Sequence, residues 1–358
     1  MTRITKAELE QRLERCAAAL RRDGADCVVL MPGSNFSYLT GLSPVRERHR
    51  LFAAVVDADA GLHLIAAPFE ESTLCACALS ARKHLIADDE DQVAALAAVV
   101  ASRASARPRV ALEATLPVYF LRAFQAALPS AELVDAAPAT DRLRAVKSAA
   151  EIACLEEAAR RTAARMARVP SLLREGMTER ELAAAFGPSA MVQIGATTSR
   201  PNESGRDGAL APGDAIVIDA GDRVEGYRSD VTRTFFFGEP TAGMREVYRI
   251  VREAEAAAIA AARPGVPAEE IDLAARRVIE RAGYGALFTH RGGHGIGLDF
   301  HEIPICVRGN GEPLEPGMVL TAEPGIYLPG EFGVRLEDDL LITETGCEVL
   351  SGPLPAIS

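Results

Sequence analysis

Apolar and polar positions follow two rhythms along this chain, and the changes between them mark out its elements. Residues 5–22 place alanine and leucine at helical spacing among charges, and residues 27–31 follow as a short apolar run closed by Pro32-Gly33. That pattern predicts a helix and then a buried strand. Residues 52–56 and 62–66 read as two strands around the turn Asp57-Ala58-Asp59-Ala60-Gly61. Helices are expected over 70–82, 90–102 and 117–127, with a further strand at 109–112. This alternation predicts a mixed sheet with helical cover for a first domain, 1–135.

Pro129 and Pro138 bracket an alanine-rich stretch that marks the boundary to a second domain, 136–358. It opens with a long helical pattern over 141–168, broken by Pro170. Thr178 and Glu181 have capping-box spacing, which starts a helix through residue 186, and Pro188 ends it. Strand-like runs at 191–194, 215–219 and 231–237 precede two helices at 244–262 and 268–282. Helices followed by strand-rich segments make this domain α+β.

Composition narrows the function classes. With 358 residues and 48% hydrophobic content, the chain can fill two cores. Lys and Arg number 39 against 50 Asp and Glu, a formal charge of −11, which excludes a general binder of nucleic acid or anionic membrane. The densest basic stretch, Arg46-Glu47-Arg48-His49-Arg50, reads as a solvated face or a loop beside the substrate. Seven cysteines are scattered without a zinc-like pair of pairs, and no secretory leader pattern opens the chain. The expectation is therefore a cytoplasmic protein with reduced thiols. No apolar run reaches membrane-spanning length.

Candidate chemistry concentrates in four places. Three of the six histidines, His290, His294 and His301, fall in one glycine-rich run, where imidazole can ligate a metal or move a proton. Asp219 closes the apolar run Ala215-Ile216-Val217-Ile218, and Asp230 opens the next strand. A fold-back near Val224 and Glu225 would set the two carboxylates directly opposite, about 4.5–5.5 Å apart, a repulsion that a cation relieves. Two solvent-facing turn aspartates are the alternative, although an apolar run argues against exposure. Glu323 and Glu337 each end a strand-like run, with a return connection of Pro, Gly and Tyr between them. Four carboxylates and an imidazole suit two divalent ions such as manganese, cobalt or zinc, while spacing alone leaves a single-metal site or an acidic surface open. Arg335 shares a strand face with Glu337 and either binds a substrate carboxylate or orders the ligand carboxylates. Tyr227 is a substrate contact or a packing aromatic at the turn.

These segments resemble the signatures of the creatinase/prolidase/methionine aminopeptidase family. The resemblance rests on Ile218-Asp219-Ala220-Gly221 with Gly226 to Phe235, on His290 to Gly297 with His301-Glu302-Ile303-Pro304, on Thr321 to Tyr327, and on Gly333 to Asp338. Asn35 to Gly41 and Leu143 to Ser148 extend it across the amino-terminal part. It implies a pita-bread α+β catalytic domain preceded by a smaller mixed α/β creatinase-type domain. It also implies Asp219, Asp230, His294, Glu323 and Glu337 as ligands of two divalent ions, most readily Mn²⁺ with Co²⁺ or Zn²⁺ as alternatives, Asp230 and Glu337 bridging both.

The implied activity is hydrolysis of Xaa-Pro dipeptides by a water activated between the ions. Glu323 would shuttle a proton to the leaving nitrogen, and His290 and His301 would hydrogen-bond charged oxygen. Alternatives are an Xaa-Pro aminopeptidase on longer peptides, a hydrolase of a small non-peptide C–N bond, and a retired scaffold used for binding. Family members commonly form homodimers, which would bring Arg46, Arg48 or His49 towards the partner's substrate. One departure stands out: the family often has a histidine after a Pro-Asn pair, and Pro201-Asn202 runs on to Gly213-Asp214 without one. Arg206 or Asn202 could supply the missing hydrogen bonds, and Asp207 could read a substrate amine.

Overall fold

The computed structural model describes residues 4–46, 50–103, 106–187, 189–203 and 208–352. They form two compact units, Ile4–Arg144 and a second from Ala145 onward.

The amino-terminal unit contains α1 (Lys6–Asp23), β1 (Cys27–Leu30), α2 (Ser34–Thr40), β2 (Ala53–Asp57), β3 (Leu62–Ala66), α3 (Glu71–Cys75), β4 (Ala81–Leu85), α4 (Gln92–Ala101), β5 (Arg109–Leu112), α5 (Val118–Ala127) and β6 (Glu132–Asp135). The sheet order is β4-β3-β2-β1-β5-β6, antiparallel between β1, β2 and β3 and parallel elsewhere, the mixed sheet expected. Strand β1 is central and buried at all four positions, which is why it reads as unbroken apolar sequence. Helix α1 starts where Thr5 accepts the Glu8 N–H and stops at Gly24 in the left-handed region.

The helix expected over 70–82 is not there. Only Glu71–Cys75 is helical, and Ala81–Leu85 adds to β3 as an edge strand. Its Arg82, Lys83 and Leu85 are exposed or partly exposed, so β4 lacks the apolar alternation that announces a strand, and ladder pairing overrides local propensity.

The second unit is reached through α6 (Asp141–Ala145) and begins with α7 (Ala149–Met166), α8 (Val169–Leu172) and α9 (Glu179–Phe186). The single helix expected over 141–168 is therefore two, because Ser148 and Glu151 cap each other's backbone and start a new helix. Thr178 and Glu181 do the same for α9, as their spacing predicts; the stop at Pro188 lies outside the described residues. Next come β7 (Ala190–Ile194), β8 (Ala215–Ala220), β9 (Arg223–Val224), β10 (Tyr227–Arg228), β11 (Val231–Phe236), α10 (Ala242–Ala261), α11 (Glu269–Arg281), β12 (Gly293–Gly295), β13 (Glu302–Cys306), β14 (Val319–Ala322), β15 (Gly325–Leu328), β16 (Phe332–Arg335), β17 (Asp338–Ile342) and β18 (Cys347–Val349).

These strands make sheets ordered β11-β8-β7 and β13-β12-β14-β17-β18, with β15 and β16 as a separate hairpin. One core cluster joins Val247, Val251 and Ala258 of α10 and Ile271, Ala275 and Ile279 of α11 to Leu320, Val334 and Leu340 of the strands. The helices thus back the sheets and leave their other face for a site. Among the described residues no helix is long and apolar enough to cross a membrane.

Candidate metal centre

The first pair of carboxylates is placed by a hairpin. Tyr227 pairs with Val224 across a two-residue turn at Glu225 (φ 50°) and Gly226 (φ 92°), the positive angles a tight hairpin turn requires. The register then matches Thr232 with Asp219 and Val231 with Ala220. Asp219 therefore faces Thr232 rather than Asp230, which sits diagonally across on the same face. The turn is centred one residue later than Val224-Glu225, and one residue at the turn moves every partner by two.

The second pair sits where one strand pairing gives way to another. Ala322 pairs with Asp338 before the break and Gly325 with Arg335 after it, so Glu323 and Glu337 occupy facing positions between. Glu337 is also tied to β11: its N–H donates to the Thr232 carbonyl at 3.1 Å, and the Thr232 hydroxyl donates to its Oε2 at 2.7 Å. Thr232 thereby links all three acidic segments.

His294 lies in β12 between β13 and β14. Its Nδ1 donates to the Gly295 carbonyl at 3.1 Å, which leaves the Nε2 lone pair facing Glu323 Oε1 at 3.5 Å and Asp230 Oδ2 at 4.0 Å. Burial holds this ring neutral by lowering its pKa to about 3. Asp230, His294 and Glu337 each offer one ligand atom within 4.8 Å of the others. Burial, and then the charge of Glu337, pushes Asp230 well above the usual carboxylate range. Glu337 rises for the same reason beside Glu323, and Glu323 is pushed up to about 7. Buried acids that repel one another around an open imidazole lone pair fit divalent cations, which remove the repulsion and accept all these donors.

All five expected ligands line one cavity of about 480 Å³ with His290, His301 and Arg335. Arg335 is buried, and its Nη2 donates to Asp219 Oδ2 at 2.7 Å, its Nε to Thr232 Oγ1 at 3.1 Å and its Nη1 to the Tyr327 hydroxyl at 3.2 Å. Of its two expected roles, ordering a ligand carboxylate is the one these contacts perform. His290 has both ring nitrogens engaged, with the Arg291 carbonyl and the Tyr327 hydroxyl at 2.8 Å each. Burial lowers its pKa to about 4, so the neutral ring donates through Nδ1 and accepts from Tyr327 through Nε2. The hydrogen bond expected from His290 to charged oxygen is already committed here. His301 packs edge-on against His294, ring centres 4.2 Å apart, and is exposed to the cavity.

One expected substrate contact falls elsewhere. Tyr227 does not line the cavity; it is buried, and its hydroxyl donates to Glu151 Oε1 of α7 at 2.8 Å. Arg206 and Asp207 lie outside the described residues, as do Arg48 and His49. The cavity adds residues that sequence reasoning passed over. Tyr327 bridges His290 and Arg335, and Arg291 lines the cavity with a guanidinium that makes no hydrogen bond or ion pair among the described residues. The signal for Arg291 was its place inside the histidine run.

Comparison with known proteins agrees with this geometry. Residues 153–344 match the description Metallopeptidase family M24, and residues 12–146 match the Creatinase/Prolidase N-terminal domain. The chain is 36% identical to the probable dipeptidase PepE of Mycobacterium tuberculosis, over 94% of this chain and 92% of that protein. It is 33% identical to the Xaa-Pro dipeptidase of Lactobacillus delbrueckii subsp. lactis, over 93% and 95%. The crystal structure of dipeptidase PepE from Mycobacterium ulcerans superposes with a TM-score of 0.94 at 33% identity, covering 99% of this chain and 98% of that one. Carboxylates and a histidine gathered on a pita-bread domain that follows a creatinase-type domain in the chain thus place this chain in metallopeptidase family M24.

Proposed function

We propose that this metallopeptidase hydrolyses Xaa-Pro dipeptides with two divalent ions in the cavity, held by Asp219, Asp230, His294, Glu323 and Glu337. The observation that carries this reading is the convergence of Asp230, His294 and Glu337 ligand atoms within 4.8 Å beside two more carboxylates. When bound, the ions would supply Lewis acidity and lower the pKa of water. Oxygen-rich donors support manganese as the resident ion, with cobalt and zinc as substitutes. Two of the similar proteins carry dipeptidase names, which supports a short substrate.

The protein's own groups divide the remaining work. Glu323, whose carboxylate lies 3.5 Å from His294 Nε2 in the cavity, would take a proton from the activated water and hand it to the leaving nitrogen. His301 offers its ring to oxygen that gains charge, while His290 orients the Tyr327 hydroxyl. Arg335 fixes Asp219, and Arg291 offers a fork of donors to a substrate carboxylate. Asn202 lines the cavity where the family's histidine is missing, and its amide takes over that hydrogen bond; Arg206 is the other candidate for it. The family resemblance supports a homodimer, and the scattered free cysteines support a cytoplasmic location.

The test is reconstitution of metal-free protein with manganese, cobalt or zinc, followed by assays on Xaa-Pro dipeptides, longer Xaa-Pro peptides and non-proline controls. Turnover restricted to dipeptides is expected. Turnover of longer peptides would favour an aminopeptidase, and inactivity on every peptide with two ions bound would sink both readings.

A further inference from the structure

Behind the ligand cluster, away from the cavity, lies a second buried ionic group. Arg233 of β11 is 1% exposed, yet it is among the largest side chains in the core. Its Nη1 donates to the Glu337 carbonyl at 2.6 Å and to its neighbour's Thr232 carbonyl at 3.0 Å, and its Nη2 donates to Asp338 Oδ1 at 2.6 Å. Asp338 is backed in turn by Glu255 of α10, which is 1% exposed. Burial, and then the charge of Asp338, pushes Glu255 well above the usual carboxylate range.

The position of this group is what gives it meaning. Glu337 sits at the break between two strand pairings, belongs to neither, and pairs its backbone with Thr232 through an isolated bridge. A buried carbonyl left unbonded is costly and free to rotate, and rotation of that peptide would swing the Glu337 carboxylate. Three bonds hold it instead: its N–H to Thr232, its carbonyl to Arg233, and its Oε2 to the Thr232 hydroxyl. Thr232 is also the residue that faces Asp219 across β8 and β11. A single guanidinium therefore bonds both carbonyls of the junction that sets Glu337 against Asp219 and Asp230.

We propose that Arg233 is a positioning residue for the dinuclear site, fixing the Glu337 peptide so that its carboxylate can serve two ions rather than one. This rests on the two-ion reading above. Arg233 touches neither substrate nor cavity, and its charge is consumed by Asp338. Its loss should split the two metal positions, weakening the second while Asp230, His294 and Glu337 still capture the first.

Arg233→Lys tests this, because lysine keeps a cation for Asp338 but has no planar fork to reach the Glu337 carbonyl as well. Should that variant fail to fold, the double variant Arg233→Met/Asp338→Leu removes the clamp without leaving a buried unpaired charge. Manganese alone is titrated into metal-free protein, and stoichiometry, dissociation constants and the exchange-coupled two-manganese electron paramagnetic resonance signal are read. Wild type should retain two manganese ions per chain. Either variant should weaken the second ion by roughly tenfold or more and lose the coupled signal, with the first ion nearly unchanged. A variant that melts earlier without metal yet holds two coupled ions as tightly as wild type would show a purely structural role and overturn the inference alone. Wild-type protein that never takes up a second ion would overturn the two-ion reading and this inference together.

Discussion

Arg291 follows His290 in the chain and lines the same cavity, but the two residues spend their hydrogen bonds differently. His290 is committed at both ring nitrogens, whereas the Arg291 guanidinium has no partner among the described residues. Four ligand carboxylates would neutralise two divalent ions, and Arg335 is paired with Asp219, so among the described residues the charge of Arg291 is available to a substrate carboxylate. Arg291→Gln should raise KM for dipeptides roughly tenfold or more while kcat changes little, since a charge-assisted bond made equally in ground and transition states is lost. Dipeptide amides, which lack the terminal carboxylate, should lose the effect, whereas Asp-Pro or Glu-Pro substrates alone would show it if the first residue's side chain is what binds. An unchanged KM on all three would remove Arg291 from recognition. Tyr227 makes the opposite case. Its hydroxyl serves Glu151 in the core, so Tyr227→Phe should lower stability by about 1–2 kcal/mol in urea denaturation with kcat and KM intact. Altered KM with unaltered stability would return Tyr227 to the substrate.

At the level of elements, the site depends on how closely β12 approaches β14. A Cβ at Gly293 would lie 2.0 Å from the Thr321 carbonyl oxygen, which is backbone and cannot swing aside. Thr321 is two residues from Glu323, so any retreat shifts a ligand carboxylate relative to His294. Gly293→Ala should cost about 1–3 kcal/mol and weaken manganese binding, while Gly311→Ala, with open space around its Cβ, should do neither. Equal behaviour of the two variants in paired denaturation and manganese titrations would show that this approach is not constrained. The elements carrying the ligands were legible beforehand because Asp219, Glu323 and Glu337 each adjoin an apolar strand and His294 sits among glycines. Their register was not, because it turns on whether Glu225 or Gly226 closes the hairpin, and apolar pattern does not distinguish neighbouring residues in a charged turn. Edge strand β4 was illegible for a related reason: its outward charges carry no alternation. Arg233 was illegible because nothing in its own strand shows that a strand break 104 residues further along the chain needs a donor.

Across the whole molecule, proton binding ties stability to metal content. All five described histidines have pKa values lowered below the ordinary 6.5, burial being the first cause in each. The folded protein keeps them neutral while the unfolded chain takes up protons below about 6.5, so stability falls as pH drops through that value, and for His294 the loss continues down to about 3. The acids of the centre act with the reverse sign in metal-free protein. Glu323 holds its proton up to about 7 when folded but only to about 4.5 when unfolded, so acidification between those values favours the folded state. Asp230 and Glu337 shift the same way. The two tendencies oppose each other, and the metal-free protein should show a shallow dependence of Tm on pH between 5 and 7. Bound manganese removes one of them, because ligand carboxylates must be deprotonated and the ion must then compete with protons that the empty site welcomes. The loaded protein should therefore lose Tm more steeply on acidification, with the gap between loaded and metal-free curves closing as pH falls from 7.5 to about 5. Calorimetric scans across that range on both forms, at one manganese concentration, measure the gap directly. Parallel curves would mean that the acids release no protons to the metal, and that Asp230, Glu323 and Glu337 are not where it binds.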